Sequence, residues 1–159
     1  MLKNRVRSPV VKPIILDSYL AMIRNGVGAN MFRSVYAEVD GKRKDVLYDG
    51  VLSCAFFVSS VLVIFGLTKR SHATVDGTVR DLEESGWRRI RKPKPGAVLV
   101  WEMRRYQDGS RHRHIGFYVG HGRAVSNDTP TRVLIEHHWK YRGERELDSI
   151  WWHRKLYKR

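Results

Sequence analysis

Eighteen consecutive residues, Gly50 to Leu67, carry no charge in a chain that is 29% charged overall. A run of this kind must leave water. One solution is a transmembrane helix, for which this length is near the lower limit. The other is the central buried helix of a small domain. Ser53, Ser59 and Ser60, with Gly50 and Gly66 at the ends, favour burial within protein, and no other segment is apolar enough to centre a core. The expectation is a buried helix starting near Ser53 and ending at Gly66, and no membrane span.

The remainder organises around that helix. Residues 1–12 read as a loose basic arm, and 13–159 as a single domain, a length that supports a real core. From Pro13 to about Arg24, apolar residues recur with helical spacing, and Gly26, Gly28 and Asn30 end the run. Residues 31–49 fit helix or strand. Thr74 to Glu84 reads as an amphipathic helix stopped by Gly86. Arg88 to Lys94 reads as a basic linker. Strands are expected over 97–103, 115–119, 123–126, 133–138 and 150–154. Helices first and an antiparallel meander afterwards make an α+β layout.

Charge narrows the surroundings. Thirty Lys and Arg against 16 Asp and Glu give a formal +14. Such a balance points to a polyanionic partner: an anionic polymer, nucleic acid or an anionic membrane surface. The one cysteine forms no internal disulfide and builds no zinc site alone. His121, His137 and His138 lack a second ligand cluster, and adjacent strand residues face opposite ways, so no metal and no cofactor is expected. The basic start Met1–Arg7 is followed by Ser8-Pro9-Val10-Val11-Lys12-Pro13, which does not read as a Sec-type signal peptide. That leaves a cytoplasmic location or another export route.

The cysteine, Cys54, falls at the start of the buried helix. A helix N-terminus lowers a thiol pKa and aims backbone N–H groups at developing negative charge. Sixty residues on, His114 opens the strand His114-Ile115-Gly116-Phe117-Tyr118-Val119-Gly120. A thiol and an imidazole in this arrangement are the parts of a cysteine hydrolase: nucleophile and general base. His112, two residues earlier on the same side, is the nearest alternative base.

These segments resemble the NlpC-type cell-wall peptidases, part of the papain-like group that includes the CHAP amidases. The matching pieces are Ser53-Cys54-Ala55-Phe56-Phe57-Val58, Pro95-Gly96-Ala97-Val98-Leu99-Val100-Trp101, the His114 strand and Ile150-Trp151-Trp152-His153. The resemblance covers roughly residues 45–157. It implies a papain-like NlpC-type α+β domain, with N-terminal helices and a central buried helix packed on an antiparallel sheet. It further implies hydrolysis of amide bonds in peptidoglycan stem peptides, through a thioester on Cys54. The sequence departs from the family pattern at Ser53, Phe56 and Ala97. The family's third polar residue, usually histidine, aligns with Ser126. Asn127 and Asp128 are the expected orienters of His114, with Glu136 as an outside candidate. Trp101, Tyr48 and Ser53 are expected substrate contacts. The alternatives are an acyltransferase or non-catalytic relative on the same fold, or a basic nucleic-acid-binding protein whose cysteine is core.

Overall fold

In the computed structural model, residues 8–105 and 109–157 are described. Most of the basic arm, residues 1–7, lies outside them. The chain runs α1 (Ile15–Asn25), β1 (Tyr36–Val39), β2 (Lys42–Asp45), α2 (Cys54–Ile64), α3 (Val75–Glu84), β3 (Arg88–Arg89), β4 (Val98–Arg105), β5 (Arg111–Gly120), β6 (Arg123–Asp128), β7 (Val133–His138) and β8 (Leu147–Trp152). The result is a mixed α+β fold. Strands β1 and β2 form a separate hairpin across Asp40-Gly41, which resolves the ambiguous stretch 31–49.

The six-stranded sheet is antiparallel with order β3-β8-β4-β5-β6-β7. β4 to β7 form the expected meander. β8 does not extend it: this strand returns to the far edge of β4 and is flanked there by β3. Arg88-Arg89, expected as linker, therefore pairs with Trp152 and Trp151. The last strand ends at Trp152 rather than residue 154, because Arg154–Leu156 winds into a single 3-10 turn.

Helix α2 is apolar on nearly every side, so most of its surface must be covered, and only its C-terminal Val63 and Ile64 are exposed. Ala55, Phe57, Val58, Val61 and Leu62 are buried. Phe117 of β5 meets Tyr19 of α1 and Phe57 of α2 edge-on, with ring centroids 5.4 and 5.3 Å apart. Edge-to-face pairs of this geometry add to plain area burial. Among the described residues no helix is long and apolar enough to cross a membrane.

One buried charge clamps the segment between α2 and α3. The Asp81 carboxylate, 4% exposed, accepts the backbone N–H of Lys69 and Arg70, the Ser85 hydroxyl and the His72 ring at 2.8 Å. Burial alone would raise its pKa, but these donors outweigh it and hold the carboxyl down at about 2. The backbone N–H of His72 in turn donates to Ser59 of α2 at 2.8 Å. Asp81→Asn leaves several buried donors poorly matched and is expected to cost about 2 kcal/mol or more in urea unfolding. An unchanged midpoint would show that the clamp is dispensable.

Candidate active site

Cys54 is the first residue of α2, and Ser53 is its N-cap. Ser53 does not cap in the usual way. Its hydroxyl donates backwards to the Gly50 carbonyl at 3.1 Å, so the first N–H groups of the helix keep no side-chain acceptor from it. The amides of Ile115, Ala55 and Cys54 itself act on the Cys54 sulfur and favour the thiolate. Ile115 directly follows His114, so the thiol faces β5 one residue along from the candidate base. Cys54 is half-buried and lines a cleft of about 330 Å³ together with Ala55, Thr74, Val75, Met103 and His112. Arg113 on the same rim is held between Asp76 and Asp148.

His114 is 6% exposed. Its Nε2 lies 2.9 Å from the Ser126 hydroxyl. That hydroxyl is also 2.8 Å from His137 Nε2 and 3.3 Å from the Tyr141 hydroxyl. His137 Nδ1 is 2.9 Å from the carbonyl oxygen of His138. A carbonyl can only accept, so His137 carries its proton on Nδ1 and presents a bare Nε2 to Ser126. Ser126 therefore donates to His137 and accepts from His114. His114 then carries its proton on Nε2, and its Nδ1 holds a free lone pair. One carbonyl thus fixes the tautomer of the candidate base through two intervening side chains.

Aromatic rings hold this chain in place. Trp101, fully buried, pairs with His114 across the strands and lies 5.3 Å from its ring at an interplanar angle of 30°. Its indole N–H donates to the Trp139 carbonyl at 2.9 Å. Tyr141 stacks on His137 with centroids 4.2 Å apart.

The electrostatics are those of a neutral pair. Burial pushes His114 down from the usual 6.5 to about 3, with the Arg145 charge and His137 pushing the same way. Burial raises the Cys54 thiol, against the pull of the backbone donors and Arg145. The helix start was expected to lower this thiol, but here desolvation outweighs it. Arg145 is itself 8% exposed. It donates to the Glu102 carbonyl at 3.1 Å, and its Nε finds no acceptor among the described residues.

The other expected site residues lie elsewhere. Asn127 and Asp128 do not meet the His114 ring. Neighbouring residues on a strand face opposite ways, and it is Ser126 that stands opposite Gly116 in register, on the side His114 shares. The Asn127 amide donates to the Gly50 carbonyl at 2.9 Å, and Asp128 is turned to Thr131. Glu136 pairs with Arg123 at 2.9 Å. Ser53 is 1% exposed and Trp101 fully buried, so neither offers a surface to substrate. Tyr48 is 69% exposed and does not line the Cys54 cleft. His137, Tyr141 and Arg145 were not anticipated. His137 was legible in principle: it lies two residues beyond the Ser126 partner Ile135, within diagonal reach on the same face. No group of three or more His, Cys, Asp or Glu that could hold a metal occurs among the described residues.

The architecture is an NlpC-like α+β fold. A solved structure that carries it, NlpC2 from Trichomonas vaginalis, matches 96% of this chain and 53% of its own with a TM-score of 0.53 and 13% identity. The present chain thus spans about half the length of that neighbour. At this identity the likeness is one of fold alone. No protein-family model matches the chain, and no curated protein does.

Two measurements probe the site without any substrate. Ring 15N shifts of His114 at neutral pH are expected to show the proton on Nε2; a proton on Nδ1 contradicts the hydrogen-bond chain. The second concerns pH. In the unfolded chain His114 takes its proton near 6.5, and in the folded chain only at about 3. Between these values the unfolded state binds more protons, so stability falls as pH is lowered through this window. The thermal midpoint is expected to drop from pH 6.5 to 4 more steeply in the native chain than in His114→Gln. Equal slopes would mean that His114 is not held neutral.

Proposed function

We propose that the protein is a cysteine hydrolase that cleaves amide bonds, with Cys54 as nucleophile and His114 as general base and then acid. The single observation that carries this reading is the hydrogen-bond chain from the His138 carbonyl to His114. It leaves Nδ1 as a proton acceptor on the residue beside the Ile115 amide that the Cys54 sulfur touches.

The steps follow from the resting state. Thiol and imidazole start neutral, so the proton moves as the bond forms. Cys54 sulfur attacks the carbonyl carbon while its proton passes to His114 Nδ1. The unpaired N–H groups at the start of α2 stabilise the resulting oxyanion. His114, now charged in a buried site, returns its proton to the departing amine as the C–N bond breaks. A water then attacks the thioester carbon, giving one proton to His114. As the C–S bond breaks His114 passes that proton to the leaving sulfur, regenerating the thiol, and the carboxylic acid product loses its own proton to solvent. Ser126 and His137 hold the ring and disperse its transient charge. The Arg145 cation assists the thiolate and opposes the imidazolium.

The substrate class this reading favours is the stem peptide of peptidoglycan, the class associated with NlpC-type folds. The test is amine release from purified peptidoglycan and from a synthetic stem peptide. Cys54→Ala should abolish it while leaving the thermal midpoint nearly unchanged. Ser126→Ala and His137→Gln should each lower the rate by about 10- to 1000-fold without removing iodoacetamide labelling of Cys54. Equal release by native chain and Cys54→Ala would place the chemistry elsewhere or nowhere.

A further inference from the structure

Far from Cys54, the other end of the sheet carries a second concave surface. The rows of paired residues fix its place. Trp101, His114 and Leu147 share the row beside the candidate site, whereas Val98, Phe117 and Trp151 share a row three residues away along β4 and β5, roughly 10 Å along the strands. Just beyond it, Arg88, Lys94, Trp152, Arg154, Lys155 and Tyr157 line a cleft of about 510 Å³. A neighbouring cleft of about 810 Å³ shares Arg154, Lys155 and Tyr157 with it and adds Lys12, Ile14 and Leu16. Among the described residues no aspartate or glutamate lines either one.

Only part of this charge is used by the fold. The Lys155 ammonium donates to the Gly66 carbonyl just beyond the end of α2, at 3.1 Å. The Lys94 ammonium sits 5.6 Å above the Trp152 ring and 5.1 Å above Tyr157. The guanidinium groups of Arg88 and Arg154 belong to exposed residues at the cleft wall. Trp152 adds a buried indole N–H for which no acceptor exists among the described residues. Clustered cations, an unmatched donor and no lining carboxylate call for an anionic occupant.

We propose that the two clefts form one trough that binds a linear, non-aromatic polyanion built of phosphate groups, at the end of the sheet remote from Cys54. Its length, with two concavities joined at Arg154 and Lys155, suits a chain of charges better than a single phosphate. Nucleic acid is disfavoured because base recognition on single strands needs open aromatic faces. Trp152 is 7% exposed, and Tyr157, the one exposed ring among the described residues of the trough, already has the Lys94 cation over it. Binding here would tether the protein to an anionic polymer while the Cys54 cleft stays open. The inference does not depend on the thiol chemistry.

The test uses the full chain with Cys54→Ala, so that hydrolysis plays no part, and long-chain inorganic polyphosphate as the probe. Arg88→Glu, Lys94→Glu and Arg154→Glu combined should weaken binding by about tenfold or more. The dependence of log K on log salt should become shallower by about three, one for each cation lost. A control with Lys42→Glu, Arg43→Glu and Lys44→Glu on the β1–β2 hairpin changes the net charge equally and should weaken binding far less. Thermal midpoints check both for folding, and Lys94→Ala with Arg154→Ala gives a milder second variant expected to lose affinity in the same direction. Equal losses for trough and control would show only net charge at work and overturn the proposal, as would no loss at all. Tighter binding of an oligothymidylate of matched charge than of polyphosphate would overturn it in favour of nucleic acid.

Discussion

The candidate site depends on how closely two strands approach at one point. A Cβ on Gly116 would lie 2.6 Å from the Val125 carbonyl oxygen, 2.8 Å from Ser126 Cβ and 3.1 Å from the Trp101 ring. No side chain fits there. The absence of one lets β5 and β6 close until the Ser126 hydroxyl reaches the His114 ring, and lets Trp101 lie beneath it. A methyl group at 116 would have to push on backbone on one side and on a fully buried indole on the other, and interiors packed at protein density have little slack for either. The closeness of Ser126 to the ring and the floor of the site both depend on that single missing atom.

A second balance sets the ionisation of the site. The start of a helix favours a thiolate, but removal of water opposes it more strongly, and the same removal keeps His114 neutral. Arg145 acts on both partners, lowering the cost of negative charge on sulfur and raising that of positive charge on the ring. A pair poised this way stores no separated charge at rest. Charge separation then belongs to the reacting state, where fixed donors are already in place to receive it.

Much of this was readable from the chain. The uncharged run 50–67 located α2, and the Gly-containing pattern after His114 located β5, because both are statements about burial and period that local sequence carries. The position of β8 was not readable. Its place between β3 and β4 is a long-range pairing, and Arg88-Arg89 looks like linker until Trp151 and Trp152 supply its partner. The third site residue failed for a related reason. Ser126 is a weak orienter judged alone, which drew attention to Asn127 and Asp128. Its competence comes from His137 on the next strand, and hence from a hairpin register that no single residue announces. Ser53 and Trp101, expected as substrate contacts, have inward-facing roles, since each spends its only side-chain donor on a backbone carbonyl.

The serine in the middle of that chain has one further consequence. A hydroxyl can donate or accept, so the chain has a polarity, and its far end determines the direction. With His137 neutral, every bond points away from His114. A second proton on His137, at its Nε2, would turn that acceptor into a donor. Ser126 would then accept from His137 and turn its hydrogen either to Tyr141, 3.3 Å away, or to His114 Nε2; in the second case the His114 proton moves onto Nδ1, the position a base must keep empty. In that second case the dyad would be silenced without any heavy atom of it moving, visible as an exchange of the two ring 15N shifts of His114.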